Sequence, residues 1–243
     1  MREKLYEGKA KIIYTTDDPE VLVMHFKDDA TAFNGLKKGT IVGKGEVNCA
    51  VTSAVCKLLE SSGVPTHFIE RTGANEHLAK RLDMFMIEVV VRNTVAGSLS
   101  KRTGLDEGTE IPNGPLVELY YKSDELNDPM INDEHARCWG WASAEELAEM
   151  KAKAFKVNEV LVGFFEARNI RLVDFKLEFG LDKDGNMLLG DEFTADGSRL
   201  WELGTDRKMD KDRFRRDLGA IEETYREVLG LVEGPGAGAG AVQ

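Results

Sequence analysis

Cysteine and histidine are both scarce in this sequence, and neither is spaced for a covalent or metal framework. The three cysteines, Cys49, Cys56 and Cys138, form no Cys-x-x-Cys pair, a distribution typical of reduced structural thiols. The four histidines show neither His-x-x-His nor His-Glu-x-x-His spacing, which disfavours a histidine-based zinc site. Because the chain has 243 residues, it can bury a sizeable core without disulfides or metal.

Long apolar runs and an excess of positive charge are also missing. No stretch approaches the roughly 20 apolar residues that span a bilayer, and the first residues lack the apolar segment of a signal peptide. The formal net charge of -11 disfavours an extended basic surface for nucleic acid or anionic membranes. We therefore expect a cytoplasmic protein without nucleic-acid or membrane partners, in which a local group of cations holds any phosphate ligand.

Two common nucleotide-binding fingerprints are absent as well. The sequence contains neither Gly-x-x-x-x-Gly-Lys-Ser/Thr nor Gly-x-Gly-x-x-Gly. Periodicity predicts strands at 9–14, 21–26, 84–95, 171–181 and 186–192, and helices at 45–62, 75–82, 143–169 and 211–231. Antiparallel hairpins mixed with helices indicate an α+β fold, and the Gly/Ala-rich tail 234–243 is predicted to be disordered.

A predicted hairpin at 172–192 collects charged residues on one face. Strand alternation places Asp174, Lys176 and Glu178 together. A turn centred between Asp184 and Gly185 would set Glu178 directly opposite Asp191, and such a pair repels unless a cation lies between the carboxylates. Oxygen ligands alone favour Mg²⁺ at a phosphate-handling site. An exposed strand with solvated charges remains the alternative, and a one-residue slip would remove the pairing.

Three shorter patterns offer cations to phosphate, each with an ordinary alternative. Lys9 and Lys11 share a strand face beside a glycine, where they could hold polyphosphate or be solvated. Arg92 lies in an apolar strand and must either pair with a carboxylate, such as Glu88, or hold a ligand phosphate, to which Ser98 could add a neutral donor.

The third pattern is an Asp-Gly-Ser-Arg segment that follows Asp191. Its Ser198 and Arg199 could bind phosphate, although Asp-Gly-Ser is also an ordinary turn sequence. Both interpretations stay open.

Taken in order, these segments resemble the SAICAR synthetases, the phosphoribosylaminoimidazole-succinocarboxamide synthases, from Leu5 to about Leu231. The motifs that carry the resemblance lie at 6–11, 88–98, 172–180 and 191–199. The resemblance implies an α+β fold of two closely packed subdomains, with antiparallel sheets and helices. Residues 1–86 would form an ATP-binding lobe similar to those of kinases, and 87–233 would form the substrate- and metal-binding part with the C-terminal helix.

The resemblance also implies a reaction of de novo purine biosynthesis. ATP would drive amide formation between L-aspartate and 5-amino-1-(5-phosphoribosyl)imidazole-4-carboxylate (CAIR), giving SAICAR, ADP and phosphate through an acyl phosphate, with ATP and Mg²⁺ bound. Family members form homo-oligomers, commonly dimers in bacteria. A small-molecule kinase and a non-catalytic ATP-sensing module are the alternatives.

Residue roles follow from the resemblance by position. Lys9, Ala10 and Lys11 would line the ATP phosphates. The backbone near Met84 and Met86 would contact the adenine. The Mg²⁺ ligands would be Glu178 and Asp191. The substrate-binding residues would be Arg92, Ser98, Lys122, Asp128, Asp196, Ser198 and Arg199. The cations expected to act in catalysis are Lys11 and Lys176.

Overall fold

The computed structural model describes residues 2–32 and 37–234, within which antiparallel sheets combine with helices as predicted for an α+β fold. The strands are β1 (Lys4–Glu7), β2 (Lys11–Thr15), β3 (Val21–Phe26), β4 (Asp29–Ala32), β5 (Lys37–Thr40), β6 (Phe68–Arg71), β7 (Glu76–Lys80), β8 (Asp83–Arg92), β9 (Leu116–Tyr121), β10 (Met130–Ile131), β11 (Ile170–Leu181), β12 (Met187–Gly190) and β13 (Ser198–Glu202). The helices are α1 (Lys44–Ser61), α2 (Gly97–Thr103), α3 (Asp133–Cys138), α4 (Ala144–Glu166), α5 (Asp212–Arg215) and α6 (Ile221–Glu233).

Two larger sheets organise the described part of the chain. One has the order β1-β2-β3-β7-β6, and the other has the order β10-β9-β8-β11-β12 with β13 also paired to β11. Helix α1 packs on the first sheet and on α6, while α4 packs on β8 and β11 of the second. The proposed boundary between 86 and 87 falls inside β8, so the division into two subdomains stays a prediction.

Helix α4 shows how the sequence pattern produces a buried face. Ser143 accepts a hydrogen bond from the Glu146 amide at 3.1 Å, and the Glu146 carboxylate accepts one from the Ser143 amide at 2.7 Å. These reciprocal bonds form a capping box at the start of the helix. The apolar side of the helix lies in the core, where Leu147, Met150 and Leu161 are fully buried.

The short helix predicted at 75–82 is wrong, because this segment forms strand β7. Leu78 and Ala79 are compatible with a helix by propensity, but His77 and Ala79 point into the core opposite β3. Pairing on both sides, with β3 and β6, supplies backbone hydrogen bonds that the weak local preference cannot match.

The single final helix predicted at 211–231 is also wrong. It is divided into α5 and α6 by a segment in which Asp217, Gly219 and Ala220 have positive φ angles of 55°, 69° and 48°. Left-handed residues cannot continue a right-handed helix. Leu218 is 46% exposed in this break.

The predicted tail at 234–243 lies outside the described residues except for Gly234. Among the described residues, no helix is both long and apolar enough to cross a membrane.

Candidate active site

Seven charged side chains from separate elements meet in what we call the lysine–carboxylate cluster. Its members are Lys11, Glu88, Lys122, Lys176, Glu178, Asp191 and Glu192. Lys176 and Glu178 share one face of β11, and β8 places Glu88 directly across from Glu178. Strand pairing, rather than sequence proximity, therefore assembles the cluster.

Lys176 is the centre of the cluster. Its Nζ lies 2.8 Å from Glu178 Oε1, 3.1 Å from Glu88 Oε1 and 3.8 Å from Asp191 Oδ2. Lys122 binds the other oxygen of Glu178. Lys11 pairs with both Asp191 and Glu192, so three ammonium groups alternate with four carboxylates.

Pairing with opposite charges outweighs the effect of burial on the pKa values of Lys176 and Glu178. Burial lowers the pKa of Lys176, but the carboxylates of Glu178 and Glu88 outweigh burial and raise that pKa above the ordinary lysine value. Burial raises the pKa of Glu178, yet Lys176 and Lys122 outweigh it and lower the pKa to about 2. Glu88 differs, because burial raises its pKa despite Lys176.

The predicted pairing of Glu178 with Asp191 is wrong by one residue. Glu178 pairs with Gly190 on β12, and Asp191 follows the strand with a φ of 60°. The register shifts because the turn is a five-residue loop, 182–186, closed by hydrogen bonds from the Asp184 and Asn186 amides to the Asp182 carboxylate. The carboxylate that lies directly opposite Glu178 is Glu88.

Glu178 and Asp191 nevertheless suit a magnesium ion. Both carboxylates lie near the ammonium of Lys176, so the space between them already accommodates a positive charge. No three His, Cys, Asp or Glu residues form a metal-binding group within the described ranges. Mg²⁺ commonly takes one or two carboxylates and completes its coordination with water and substrate phosphates, which fits this oxygen-only pair.

Arg92 opens a second site next to the cluster. Its Nε donates to Glu118 at 2.8 Å and its Nη1 donates to Asp174 at 2.7 Å, while Nη2 reaches Ser98 at 3.0 Å. Arg92 is therefore paired with carboxylates, as one of the two alternatives expected, but its partners are Glu118 and Asp174 rather than Glu88, which pairs with Lys176. Partners from β9 and β11 compensate the charge of this buried guanidinium.

Arg199 is held from two directions in the same region. Its Nη1 donates to the Asp174 oxygen that Arg92 also uses, at 2.7 Å, and its Nε donates to Asp212 at 3.1 Å. Burial lowers the pKa of Arg199, but Asp174 and Asp212 outweigh it and raise that pKa. Arg199 stays a fixed cation.

The two arginines line a cavity of about 290 Å³, which we call the arginine pocket. Its lining residues are Val90, Arg92, Asp174, Phe175, Lys176, Asp196, Gly197, Ser198, Arg199 and Arg215. Lys176 belongs both to this pocket and to the lysine–carboxylate cluster. An anion in the pocket therefore lies beside a second site that is rich in ammonium groups.

The remaining predicted residues take different positions. Ser198 is buried and donates to the carbonyl of Thr194 at 2.7 Å, and Asp196 pairs with the buried Lys44 at 2.9 Å. Lys9 reaches Asp124 at 2.6 Å, and Asp128 accepts from the Ser123 amide at 2.9 Å.

Three further residues were predicted to meet ATP. The carbonyl of Ala10 accepts a hydrogen bond from the Lys27 amide at 2.8 Å. The side chain of Met84 packs over Gly180 and Gly190, whereas Met86 is 46% exposed. All three lie on or beside strands that carry members of the lysine–carboxylate cluster.

Several residues of the two sites were not assigned a role from the sequence. Glu118, Asp174 and Asp212 orient the arginines, and Arg215 lines the pocket. Strand alternation predicts the face of β11 on which Asp174 lies, but the partners of Asp174 come from β8 and β13. The alternation of polar residues in β9 is the one signal that could have indicated Glu118.

An antiparallel α+β fold that places a carboxylate-and-lysine cluster beside an arginine pocket defines a protein that handles phosphate groups. A model of the SAICAR synthetase family matches residues 4–232. The chain belongs to this family.

Individual relatives agree. The phosphoribosylaminoimidazole-succinocarboxamide synthase of Magnetococcus marinus is 51% identical over 228 residues, which are 93% of this chain and 94% of that protein. The crystal structure of the Ehrlichia chaffeensis synthase has a TM-score of 0.92 and 43% identity, and the match covers 95% of this chain and 98% of that one. A SAICAR synthetase in complex with ADP is 50% identical, with a TM-score of 0.92 and coverage of 95% and 97%.

Proposed function

We propose that this protein joins L-aspartate to CAIR at the expense of ATP, giving SAICAR, ADP and phosphate. Membership of the SAICAR synthetase family supports the proposal, as does the likeness to a family structure that contains ADP. The observation that carries it is the position of Lys176, which borders both the lysine–carboxylate cluster and the arginine pocket. A phosphoryl donor and a phosphorylated acceptor can then meet at one ammonium group.

The acceptor ribonucleotide belongs in the arginine pocket. Arg92 and Arg199 would bind its phosphate with Ser98 as a neutral donor, since paired guanidinium groups suit phosphate oxygens. Ser198 and Asp196 line the same pocket and would contact the ribonucleotide. The carboxylate of CAIR would then extend toward Lys176.

ATP belongs at the lysine–carboxylate cluster. Lys9, Ala10 and Lys11 would meet its phosphates, and the backbone near Met84 and Met86 would meet adenine. Lys11 and Lys176 would neutralise charge on the phosphoryl group as it moves to the CAIR carboxylate. The aspartate amine would then attack the acyl carbon, forming a C–N bond while the C–O bond to phosphate breaks.

Glu178 and Asp191 would hold Mg²⁺ at this cluster. When bound, the ion neutralises the polyphosphate and holds it in position. Lys122, which already pairs with Glu178, and Asp128 on the following loop would contact substrate. Closure of this loop would keep water from the acyl phosphate.

The deciding experiment is ADP release from ATP and Mg²⁺ with CAIR, with and without L-aspartate, while SAICAR is followed by absorbance or mass. We expect product only with all three substrates, and no product after chelation of Mg²⁺. ADP release that is indifferent to aspartate would instead favour a small-molecule kinase, and binding of ATP without turnover would favour an ATP-sensing module.

We further propose that the protein acts in the cytoplasm as a homo-oligomer, as the resemblance to bacterial family members implies. Size-exclusion chromatography with light scattering measures the oligomeric state, and a monomer at working concentration would contradict this part of the proposal.

A further inference from the structure

We propose that Arg215 binds one carboxylate of the amino-acid substrate and thereby helps select L-aspartate. The inference rests on the proposed function, which requires a dicarboxylate amine to reach the acyl group near Lys176. Arg215 and Lys176 line the same arginine pocket.

The arginine pocket contains three guanidinium groups, and two of them form a unit. Arg92 and Arg199 donate to the same oxygen of Asp174, each at 2.7 Å. The shared Asp174 oxygen holds the two guanidinium groups side by side, where both can donate hydrogen bonds to one phosphate group. The third, Arg215, is anchored independently of Asp174.

Each terminal nitrogen of the Arg215 guanidinium has one protein partner, which leaves other N–H groups for a ligand. Its Nη1 donates to Asp212 at 2.6 Å, and its Nη2 lies 3.4 Å from the carbonyl oxygen of Asp196. Asp212 is 1% exposed, whereas the Arg215 side chain is 28% exposed. The guanidinium is therefore oriented by the protein while part of it remains accessible to a ligand.

A carboxylate is the anion that suits this third guanidinium. Arginine binds carboxylates with two parallel hydrogen bonds, and the CAIR phosphate already has the pair on Asp174. A dicarboxylate held at Arg215 would have its amine between Arg215 and Lys176, where the acyl carbon is expected.

The chain offers a matched control in the next residue. Arg216 also contacts Asp212, at 3.3 Å, but its guanidinium is paired with Glu107 and lies outside the arginine pocket. Both Arg215→Gln and Arg216→Gln remove a cation next to Asp212, so they share any structural effect of that loss.

We expect Arg215→Gln to raise KM for L-aspartate about tenfold to a hundredfold, because charged hydrogen bonds are lost. KM for CAIR and ATP should stay within about twofold, and Arg215→Lys should recover part of the loss. The inhibition constant of L-malate, a dicarboxylate without the amine, should rise in parallel. Arg216→Gln should leave all these values near wild type.

Two results would overturn the inference. One is a rise in KM for CAIR rather than for L-aspartate, which would make Arg215 a third ligand of the ribonucleotide. The other is an equal effect of Arg215→Gln and Arg216→Gln, which would indicate a structural role.

Calorimetric titration of L-malate into wild type and Arg215→Gln, with CAIR and a non-hydrolysable ATP analogue present, separates this inference from the proposed function. Wild-type protein that binds L-malate but forms no SAICAR would contradict the proposed function and leave the role of Arg215 measurable. Equal affinity of the two proteins for L-malate would contradict the role of Arg215.

Discussion

At the scale of single residues, Lys176 occupies the position on which the proposed chemistry depends most. It contacts carboxylates from β8 and β11 and approaches Asp191 after β12, while it also lines the arginine pocket. The ammonium is thus held in place before any substrate binds. Such preorganised charge is effective where negative charge moves during a reaction.

Replacement of Lys176 by methionine keeps an unbranched side chain that is one atom shorter and removes its charge. We expect kcat to fall at least about a hundredfold, because a preorganised cation no longer faces the transferring phosphoryl group. Single-turnover formation of SAICAR measures the effect. Lys156→Met is the control, since Lys156 pairs with Glu159 on the exposed side of α4. Comparable rates for both variants would exclude a catalytic role for Lys176.

Gly97 is a second residue with a specific steric role. Its φ is 54°, and a Cβ built at this position would collide with the guanidinium of Arg199. Gly97→Ala should therefore displace Arg199 and raise KM for CAIR about tenfold, with KM for ATP unchanged.

Gly104 provides the control for Gly97. It has a φ of 73°, but a Cβ there would meet open space. Gly104→Ala therefore carries the backbone strain without the collision. Steady-state kinetics of both variants should separate the two effects, and an equal KM for CAIR would show that displacement of Arg199 is not the cause.

At the scale of elements, some helices and strands are specified by neighbouring residues, whereas others are specified by pairing with distant segments. The capping box of α4 is specified within four residues, so its helix could be predicted. Strand β7 depends on pairing with β3 and β6, and the break between α5 and α6 depends on residues in the left-handed conformation. The sequence pattern predicted both of these features incorrectly.

Removal of the cap tests the contribution of α4 to stability. Ser143→Ala should lower the free energy of unfolding by about 1 kcal/mol, because the Glu146 amide loses its acceptor. The corresponding fall in Tm is about 2–4 °C for a chain of this size. Calorimetry or circular dichroism measures it, and kcat should not change. Ser61→Ala, which removes an exposed hydroxyl near the end of α1, should shift Tm less.

At the scale of the whole molecule, buried histidines link folding to pH. His67 and His77 lie in the interior, where both ring Nε2 atoms approach the sulfur of Met24, at 3.3 and 3.1 Å. Burial lowers the pKa of His67 to about 4 and that of His77 to about 3. The folded protein therefore keeps both rings neutral in mildly acidic solution.

This difference predicts that the two histidines destabilise the folded protein in acid. Between the ordinary histidine pKa of about 6.5 and the lowered values, the unfolded chain binds protons that the folded chain does not. The contribution of the two histidines to the free energy of unfolding should consequently fall as pH decreases from 6.5 toward 4. Asp210 acts in the opposite direction over this range, because burial raises its pKa to about 7. Urea unfolding at several pH values measures the slope.

The variant His77→Leu tests the assignment of that slope. This substitution removes one titrating ring, so the free energy of unfolding should depend less on pH between 6.5 and 4. The size of the effect follows from the shift in pKa, since a tenfold difference in proton affinity between the folded and unfolded chain corresponds to about 1.4 kcal/mol. Parallel pH profiles for variant and wild type would show that His77 does not contribute. The carboxylates with lowered pKa values, such as Glu178, act mainly below pH 4.5 and should affect both proteins equally.

The sequence by itself determined the α+β class, the long helices α1 and α4, the absence of a histidine zinc motif and the face of β11 that carries Asp174, Lys176 and Glu178. These features depend on periodicity and residue type, which act over a few neighbouring residues. Only the tertiary structure decided that Glu88 faces Glu178, that Asp174 joins Arg92 to Arg199, and that Arg215 reaches the same pocket. Those pairings depend on strand register and on contacts between distant segments, where one residue more in a turn changes which charges meet.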